Sequence, residues 1–427
     1  MNYIQLDDCR EWQFKNIPAF TGGELQPYFA DCGTGLADGE GSFMHTFKNA
    51  DEKAVCAYAA ELEKSFKKVF ENKIEDNLFY QFSTPEGLLY VSFLKNHAVV
   101  RVILDRCETK TADEFSCADF ENLCADTKFS QYSLHYDAMI RGTTSDCGMN
   151  YVYRLRDNSL IIIDGGEFEQ ATDIAVADYM DFLHNLTGTE KGEKMRVSLY
   201  ICTHAHNDHC DFMSKIVRFH SDEIEVERAA FNFPNPQNTR HSESVADFKA
   251  RLLEKYPNIQ YIKPHAGCKF TVANAEIELL VSNEDTIGVD PEDAYPGTND
   301  TSMIFSITAD GVKTLFLADC GEDNGSVLIG NYSEKITDSV LLQAAHHGIN
   351  RIYDVYERLN TKFVLLPQCK MNMDTRFDDV YAHMCARYGE ENILLAHDAT
   401  DIFTLKDGEY TREKREHVGC AYDGSEW

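Results

Sequence analysis

The run VSLYIC, residues 197–202, is apolar and β-rich. The chain leaves it directly into THAHNDH, which puts His204, His206, Asp208 and His209 inside six residues. That juxtaposition constrains the fold more than any other feature. An α/β protein places its chemistry in loops at the C-terminal ends of buried strands. Two histidines one residue apart point the same way in extended backbone. Asp208 and His209 then fall where the chain turns back into a helix. One short loop therefore presents two imidazoles to one point, and a carboxylate plus an imidazole to a neighbouring point. These donors suit zinc, manganese or iron, and the chain has no paired CxxC for a cysteine-rich structural zinc site.

The surroundings agree with an α/β reading. MNYVYRLRDNSLIIIDGG (149–166) reads as a hairpin and is followed by a helix over about 169–186. A helix starting at Asp208, a strand near VERAAFNF and a helix over 244–256 come next. Strand-like runs KFTVANAEIELLVS, TSMIFSITADGVKTLFLAD and SVLLQAAHHG follow, then helices near 354–359 and 378–388 and strands KFVLLP, NILLAH and DIFTLK. Strands and helices that alternate with hairpins predict two sheets covered by outer helices.

The first 130 residues differ. Tyr58, Leu62, Phe66 and Phe70 recur at helical spacing, which predicts an amphipathic helix over 51–74. Three β-rich runs follow with short connections, an antiparallel meander. The expectation is a small α+β accessory domain over 1–130, with its aromatic residues in a core, ahead of the main domain over 131–427. Its role is open between a lid, a recognition surface and a contact for a homo-oligomer.

Acidic residues number 71 against 40 basic, a formal charge of -31. Such a field repels long nucleic acid and anionic membranes unless a basic groove offsets it, and no run of Lys and Arg makes one. The fourteen cysteines form no spaced framework and read as reduced, mostly buried thiols. With no secretion signal and no apolar run of roughly 18 residues, a cytoplasmic location is the expectation.

The His-x-His-x-Asp-His pattern of His204, His206, Asp208 and His209 resembles the signature of the metallo-β-lactamase superfamily. Three further stretches match in order: IIIDGG with Asp164, TLFLADCG with Asp319, and AAHHG with His346 and His347. The resemblance covers roughly residues 142–406. It implies an α/β fold of the αββα sandwich type with one or two divalent metal ions, zinc first with manganese or iron as alternatives, at the sheet edges. It also implies that Asp164 supports the metal loop without ligating, that Asp319 bridges two ions, and that either His346 or His347 ligates. Many members carry a third first-metal histidine where this chain has YPGTNDTSMIF, with Asn299 and Asp300 at that point. This Asn-x-x-Ser pattern with HHG downstream is most similar to the hydrolase domain of bacterial DNA-uptake (competence) channel proteins. Asn299, Asp300, His220, His241 or His265 are the candidates to complete the first site.

The implied activity is metal-dependent hydrolysis by a metal-activated water, with Asp208 orienting that water or accepting its proton. The lean is toward a small-molecule substrate, a phosphodiester or other ester. The alternatives are a di-iron oxidoreductase of the same fold, weighed against the absence of a Gly-rich flavin fingerprint, and a non-catalytic metal-binding module.

Overall fold

The computed structural model describes residues 14–37, 39, 41–117, 125–134, 148–167, 171–234, 243–287, 297–397 and 399–416. The chain begins with an antiparallel sheet of six strands: β1 (Glu24–Asp31), β2 (Ser42–Lys48), β3 (Lys67–Ile74), β4 (Asn77–Thr84), β5 (Gly87–Leu94) and β6 (Val99–Asp105), in the order β1-β2-β6-β5-β4-β3. Helix α1 (Glu52–Leu62) starts at Asp51, whose carboxylate accepts from the N–H of Ala54 at 2.8 Å. It packs Val55, Tyr58, Ala59 and Leu62 on one face of the sheet, against Phe82, Val91, Val102 and Leu104.

The predicted helix over 51–74 is corrected here. Helical spacing carries through Phe66 and Phe70, but α1 ends at Leu62 and Lys67–Ile74 is strand β3. A tight turn with left-handed Glu75 (φ 52°) brings β3 onto β4, and the ladder from Ile74–Asn77 to Lys67–Ser83 outweighs the local periodicity. The expected three-stranded meander is β4, β5 and β6 inside a wider sheet.

Beyond it lies the αββα sandwich. Its first sheet holds β7 (Thr127–Gln131), β8 (Tyr151–Arg154), β9 (Leu160–Ile163), β10 (Met195–Ile201), β11 (Ile224–Val226), β12 (Arg228–Ala230), β13 (Gln260–Ile262), β21 (Ala399–Lys406) and β22 (Glu409–Glu416). Their order is β13-β12-β10-β9-β8-β7-β21-β22, with β11 also on β10. Strand β7, ahead of the division expected at residue 131, already pairs with β8 and β21. The second sheet runs β14 (Lys269–Val272), β15 (Ala275–Val281), β16 (Ile304–Ala309), β17 (Val312–Phe316), β18 (Leu341–Gln343), β19 (Phe363–Leu366), β20 (Ile393–Leu395) in that order. Between the sheets Phe316 stacks on Phe305 and meets the edge of Tyr151, and the Tyr153 hydroxyl donates to Thr314 Oγ1 at 2.7 Å.

Helices α2 (Asp173–Thr187), α3 (Asp211–Phe219) and α4 (Glu243–Lys255) cover the first sheet, and α5 (Glu322–Asn331), α6 (Tyr353–Arg358), α7 (Lys370–Thr375) and α8 (Asp378–Tyr388) accompany the second. Helix α2 shows why. Thr172 caps its start, Gly188 ends it in left-handed backbone (φ 68°), and Val176, Tyr179, Met180, Leu183 and Leu186 form one buried stripe. Among the described residues, no helix is long and apolar enough to cross a membrane, and every cysteine is a free thiol.

The six-stranded sheet docks on the sandwich through its other face. On β6, Val100, Val102 and Leu104 face α1, so the intervening Arg101, Ile103 and Asp105 face the sandwich. Arg101 pairs with Asp285 at 2.8 Å, and His265 lies between Asp105 (2.8 Å) and Glu284 (3.3 Å), all buried. Burial alone would lower the pKa of His265, but the two carboxylates outweigh it and lift it to about 10. A folded-state value above the unfolded value of 6.5 contributes stability that is complete below that pH and lost as pH rises through 10. Urea unfolding of the wild type is therefore expected to show stability falling from pH 7 to pH 10, with a flatter profile in His265→Gln. Equal slopes would remove the charged histidine from the docking seam.

Candidate metal centre

The site is built from four turns at one edge of the sandwich. Asp164 follows β9 in left-handed backbone (φ 57°). Its carboxylate accepts from the Thr203 N–H (2.8 Å), the Thr203 hydroxyl (3.0 Å) and His209 Nδ1 (2.8 Å), so it fixes the loop after β10 at three points. Gly165 is required beside it: a Cβ there would lie 2.5 Å from Met213 Cβ, where the turn seats the first residues of α3. The second sheet supplies Asp319 after β17 and His346–His347 after β18. Ser302 Oγ accepts from the N–H of Asp319 at 3.2 Å, and the Met303 N–H donates to Thr203 O at 3.0 Å, which ties the two sheets together at the site.

The hydrogen bonds set the tautomers. The Thr203 hydroxyl spends its proton on Asp164, so at 3.1 Å it accepts from His204 Nδ1, leaving His204 Nε2 with a lone pair. That nitrogen lies 3.0 Å from His206 Nδ1. His209 gives its Nδ1 proton to Asp164, which turns Nε2 to the centre as well. Asp319 lies between the halves. Its Oδ1 faces His209 Nε2 (3.3 Å) and His347 Nε2 (4.0 Å), and its Oδ2 faces His204 Nε2 (3.5 Å) and His346 Nε2 (3.6 Å). Asp208 Oδ2 is 3.3 Å from His347 Nε2.

Two sets of donors result, each with all its ligand atoms within 4.8 Å of one another: Asp208, His209, Asp319 and His347, and His204, His206 and Asp319. Both oxygens of Asp319 and Nε2 of His209 are buried without a hydrogen-bond partner among the described residues. Orphaned buried acceptors are costly unless a cation meets them, so the residues fit a pair of divalent ions that share Asp319.

The electrostatics point the same way. Burial holds the pKa of His204 and His206 below the ordinary imidazole value, so both are neutral donors of lone pairs. Burial opposes charge on Asp319 and Asp208, yet the neighbouring imidazoles, led by His209, keep both well ionised. His209 is lifted because Asp319, Asp164 and Asp208 outweigh its own burial.

The expected residues thus meet at one point, with two refinements. His347 belongs to the four-donor set, whereas His346 lies outside both sets, its Nδ1 2.8 Å from Asn350 Oδ1 and its Nε2 3.2 Å from Asn299 Nδ2. Among the substitutes for the third histidine, His220 pairs with Glu223 at 2.7 Å and His265 is held in the docking seam, so neither joins the centre. Asp300 turns its carboxyl to the start of α5, against Gly321, where burial pushes its pKa to about 6. His241 lies outside the described residues.

Sequence reasoning missed the residues that aim the site. Gln343 clamps Ala318, with Oε1 accepting from its N–H (2.5 Å) and Nε2 donating to its carbonyl (3.1 Å). This holds Ala318 left-handed (φ 49°), directly before Asp319. A glutamine inside the buried run LLQAA was the available signal. Ser302 stands in the Asn-x-x-Ser pattern, which gave no sign of its hold on the Asp319 N–H, and Asn350 carried no signal.

No protein-family model and no curated protein matches the chain. Solved structures with a similar fold include zinc-bound PqqB from Methylobacterium extorquens, at 10% identity and TM-score 0.38 over 67% of this chain and 97% of that one. Tm1679, described as a metal-dependent hydrolase of the beta-lactamase superfamily, aligns at 9% identity and TM-score 0.36 over 68% of this chain and 100% of that one. CmlA from Streptomyces venezuelae, a diiron beta-hydroxylase, aligns at 12% and 0.30 over 59% of this chain and 43% of that one, so less than half of CmlA is spanned. At these identities the likeness concerns the fold and says nothing about activity.

Because Asp164 orients His209 and Thr203 without joining either donor set, Asp164→Ala is expected to weaken metal binding about 10–100-fold. Competition with a chromogenic chelator measures this, and affinity within twofold of wild type would refute the role.

Proposed function

We propose that this chain is a metal-dependent hydrolase that cleaves a small ester, with a phosphodiester as the leading substrate class. The observation that carries the reading is the pair of donor sets joined at Asp319, with its buried, unpartnered oxygens. His204, His206 and Asp319 would hold one ion, and Asp208, His209, Asp319 and His347 the other. Zinc suits these donors, and manganese or iron are accommodated by the same set. Bound there, divalent ions supply a water whose pKa falls from about 15.7 toward about 7, together with charge to offset a developing oxyanion.

The protein's own groups do the rest. Thr203 and Asp164 keep the far nitrogens of His204 and His209 protonated, so that the bare nitrogens face the centre. Asp208 is the carboxylate of the cluster that opens to solvent, with 31% of its side chain exposed, against 1% for Asp319. Held ionised, it orients the attacking water by accepting its hydrogen bond, and its open side gives the released proton a path to bulk. His346, about a quarter exposed and next to Asp319, borders the cluster, with its Nε2 accepting from Asn299 Nδ2 at 3.2 Å.

The phosphodiester lean rests on the similarity of Asn299-x-x-Ser302 and His346-His347-Gly348 to the uptake-channel hydrolase domain. The charge of -31 argues for a short substrate over long DNA, because a polyanion needs many phosphates offset.

The test is hydrolysis of bis-p-nitrophenyl phosphate by zinc- or manganese-loaded protein, alongside thioester and lactone substrates. Activity is expected to vanish with chelator and to fall about 10²–10⁴-fold in folded Asp208→Asn. Failure of the metal-loaded chain on every substrate would remove the hydrolase reading. Iron at two equivalents with a visible absorption band would favour an oxidoreductase in its place.

A further inference from the structure

The two halves of the centre are unequal in three independent respects. The Asp208–His209–Asp319–His347 half offers four protein donors, and the His204–His206–Asp319 half offers three. The first half has two carboxylates to meet a dication, one of them its own, whereas the second has only its share of Asp319. The supports behind the imidazoles differ as well. His209 donates from Nδ1 to the Asp164 carboxylate at 2.8 Å, which raises its basicity, whereas His204 donates to the neutral Thr203 hydroxyl at 3.1 Å. Donor count, charge and support all rank the halves in the same order.

The fourth corner of the weaker half is bordered by His346 and Asn299. Asn350 donates its Nδ2 to Cys320 O at 2.7 Å, which turns its Oδ1 toward His346 Nδ1. That hydrogen bond fixes the His346 ring, and its Nε2, 3.6 Å from Asp319 Oδ2, accepts from Asn299 Nδ2 at 3.2 Å and lies outside both donor sets. A metal site with three protein donors and one open position is the form catalytic sites take, since the open position admits water or substrate.

We infer that the centre fills in a fixed order. The Asp208–His209–Asp319–His347 half takes its ion first and tightly. The His204–His206–Asp319 half takes the second ion weakly, with its open corner, walled by His346 and Asn299, receiving the substrate oxygen. This rests on the hydrolase reading above and specifies which half of that site meets the substrate.

The experiment is a titration of chelator-stripped full-length protein with zinc alone, read by competition with a chromogenic chelator and by metal content after gel filtration. Wild type is expected to show two binding steps separated by at least about tenfold. His206→Ala should abolish the weaker step and keep the tighter one. His347→Ala should abolish the tighter step. His346→Ala should keep both steps while raising KM for bis-p-nitrophenyl phosphate, and circular dichroism checks that each variant is folded. Loss of the tighter step in His206→Ala, its survival in His347→Ala, or loss of either step in His346→Ala would overturn the order or the open corner. Two steps in the reverse order would remove this inference alone, whereas uptake of no zinc by the wild type would remove the metal centre itself.

Discussion

Asp319 is a carboxylate almost fully removed from water, with imidazole nitrogens facing both of its oxygens. Burying such a charge without partners costs several kcal/mol, about as much as many folds have to spare. The imidazoles around it lessen that cost only in part, because His204 and His206 are held neutral by their own burial. The arrangement makes physical sense as a receptacle for positive charge. Each surrounding feature of the sandwich edge bears on keeping that receptacle in shape.

The supports are mostly backbone devices. Asp164, Ala318, His346 and His347 all adopt left-handed conformations that non-glycine residues avoid. Each such residue costs of order 1 kcal/mol and persists only where its surroundings impose it. Here those surroundings are visible: Gln343 on both backbone groups of Ala318, the His346 N–H on Ala318 O at 2.8 Å, and Thr203 on Asp164. Gly348 closes the last turn at φ 75°, in a place where a Cβ would strike Leu366. The strain is concentrated at the turns that carry the donors, and strands β9, β10, β17 and β18 behind them are largely buried.

The amino-terminal sheet is bound to this frame by buried charge as well as apolar packing. Phe79 packs against Gly267, which has no room for a side chain, and Asn77 donates to the Asn331 carbonyl at 2.8 Å. The seam reaches the centre's neighbourhood through the 282–286 turn. Arg101 holds Asp285, and the Thr286 hydroxyl donates to the carbonyl of Asp300, next to Asn299. A sheet fastened in this way behaves as part of the sandwich's edge.

By itself, the sequence determined the parts whose signal is local. The apolar runs ending in Asp164, in His204–His209, in Asp319 and in His346–His347 were legible as strands that deliver donors, and the alternation of strands and helices was enough for the αββα arrangement. Spacing could not decide what depends on residues distant in the chain. Helical periodicity ran through Phe70, and only pairing with β4 made 67–74 a strand. His346 and His347 are chemically identical neighbours, and they are separated by what folding sets beside them, Asp208 at His347 and Asn299 and Asn350 at His346. Gln343 and Asn350 have no motif because their task is to meet backbone groups brought near by folding. A donor's identity is written in one residue, but its aim is a property of everything packed behind it.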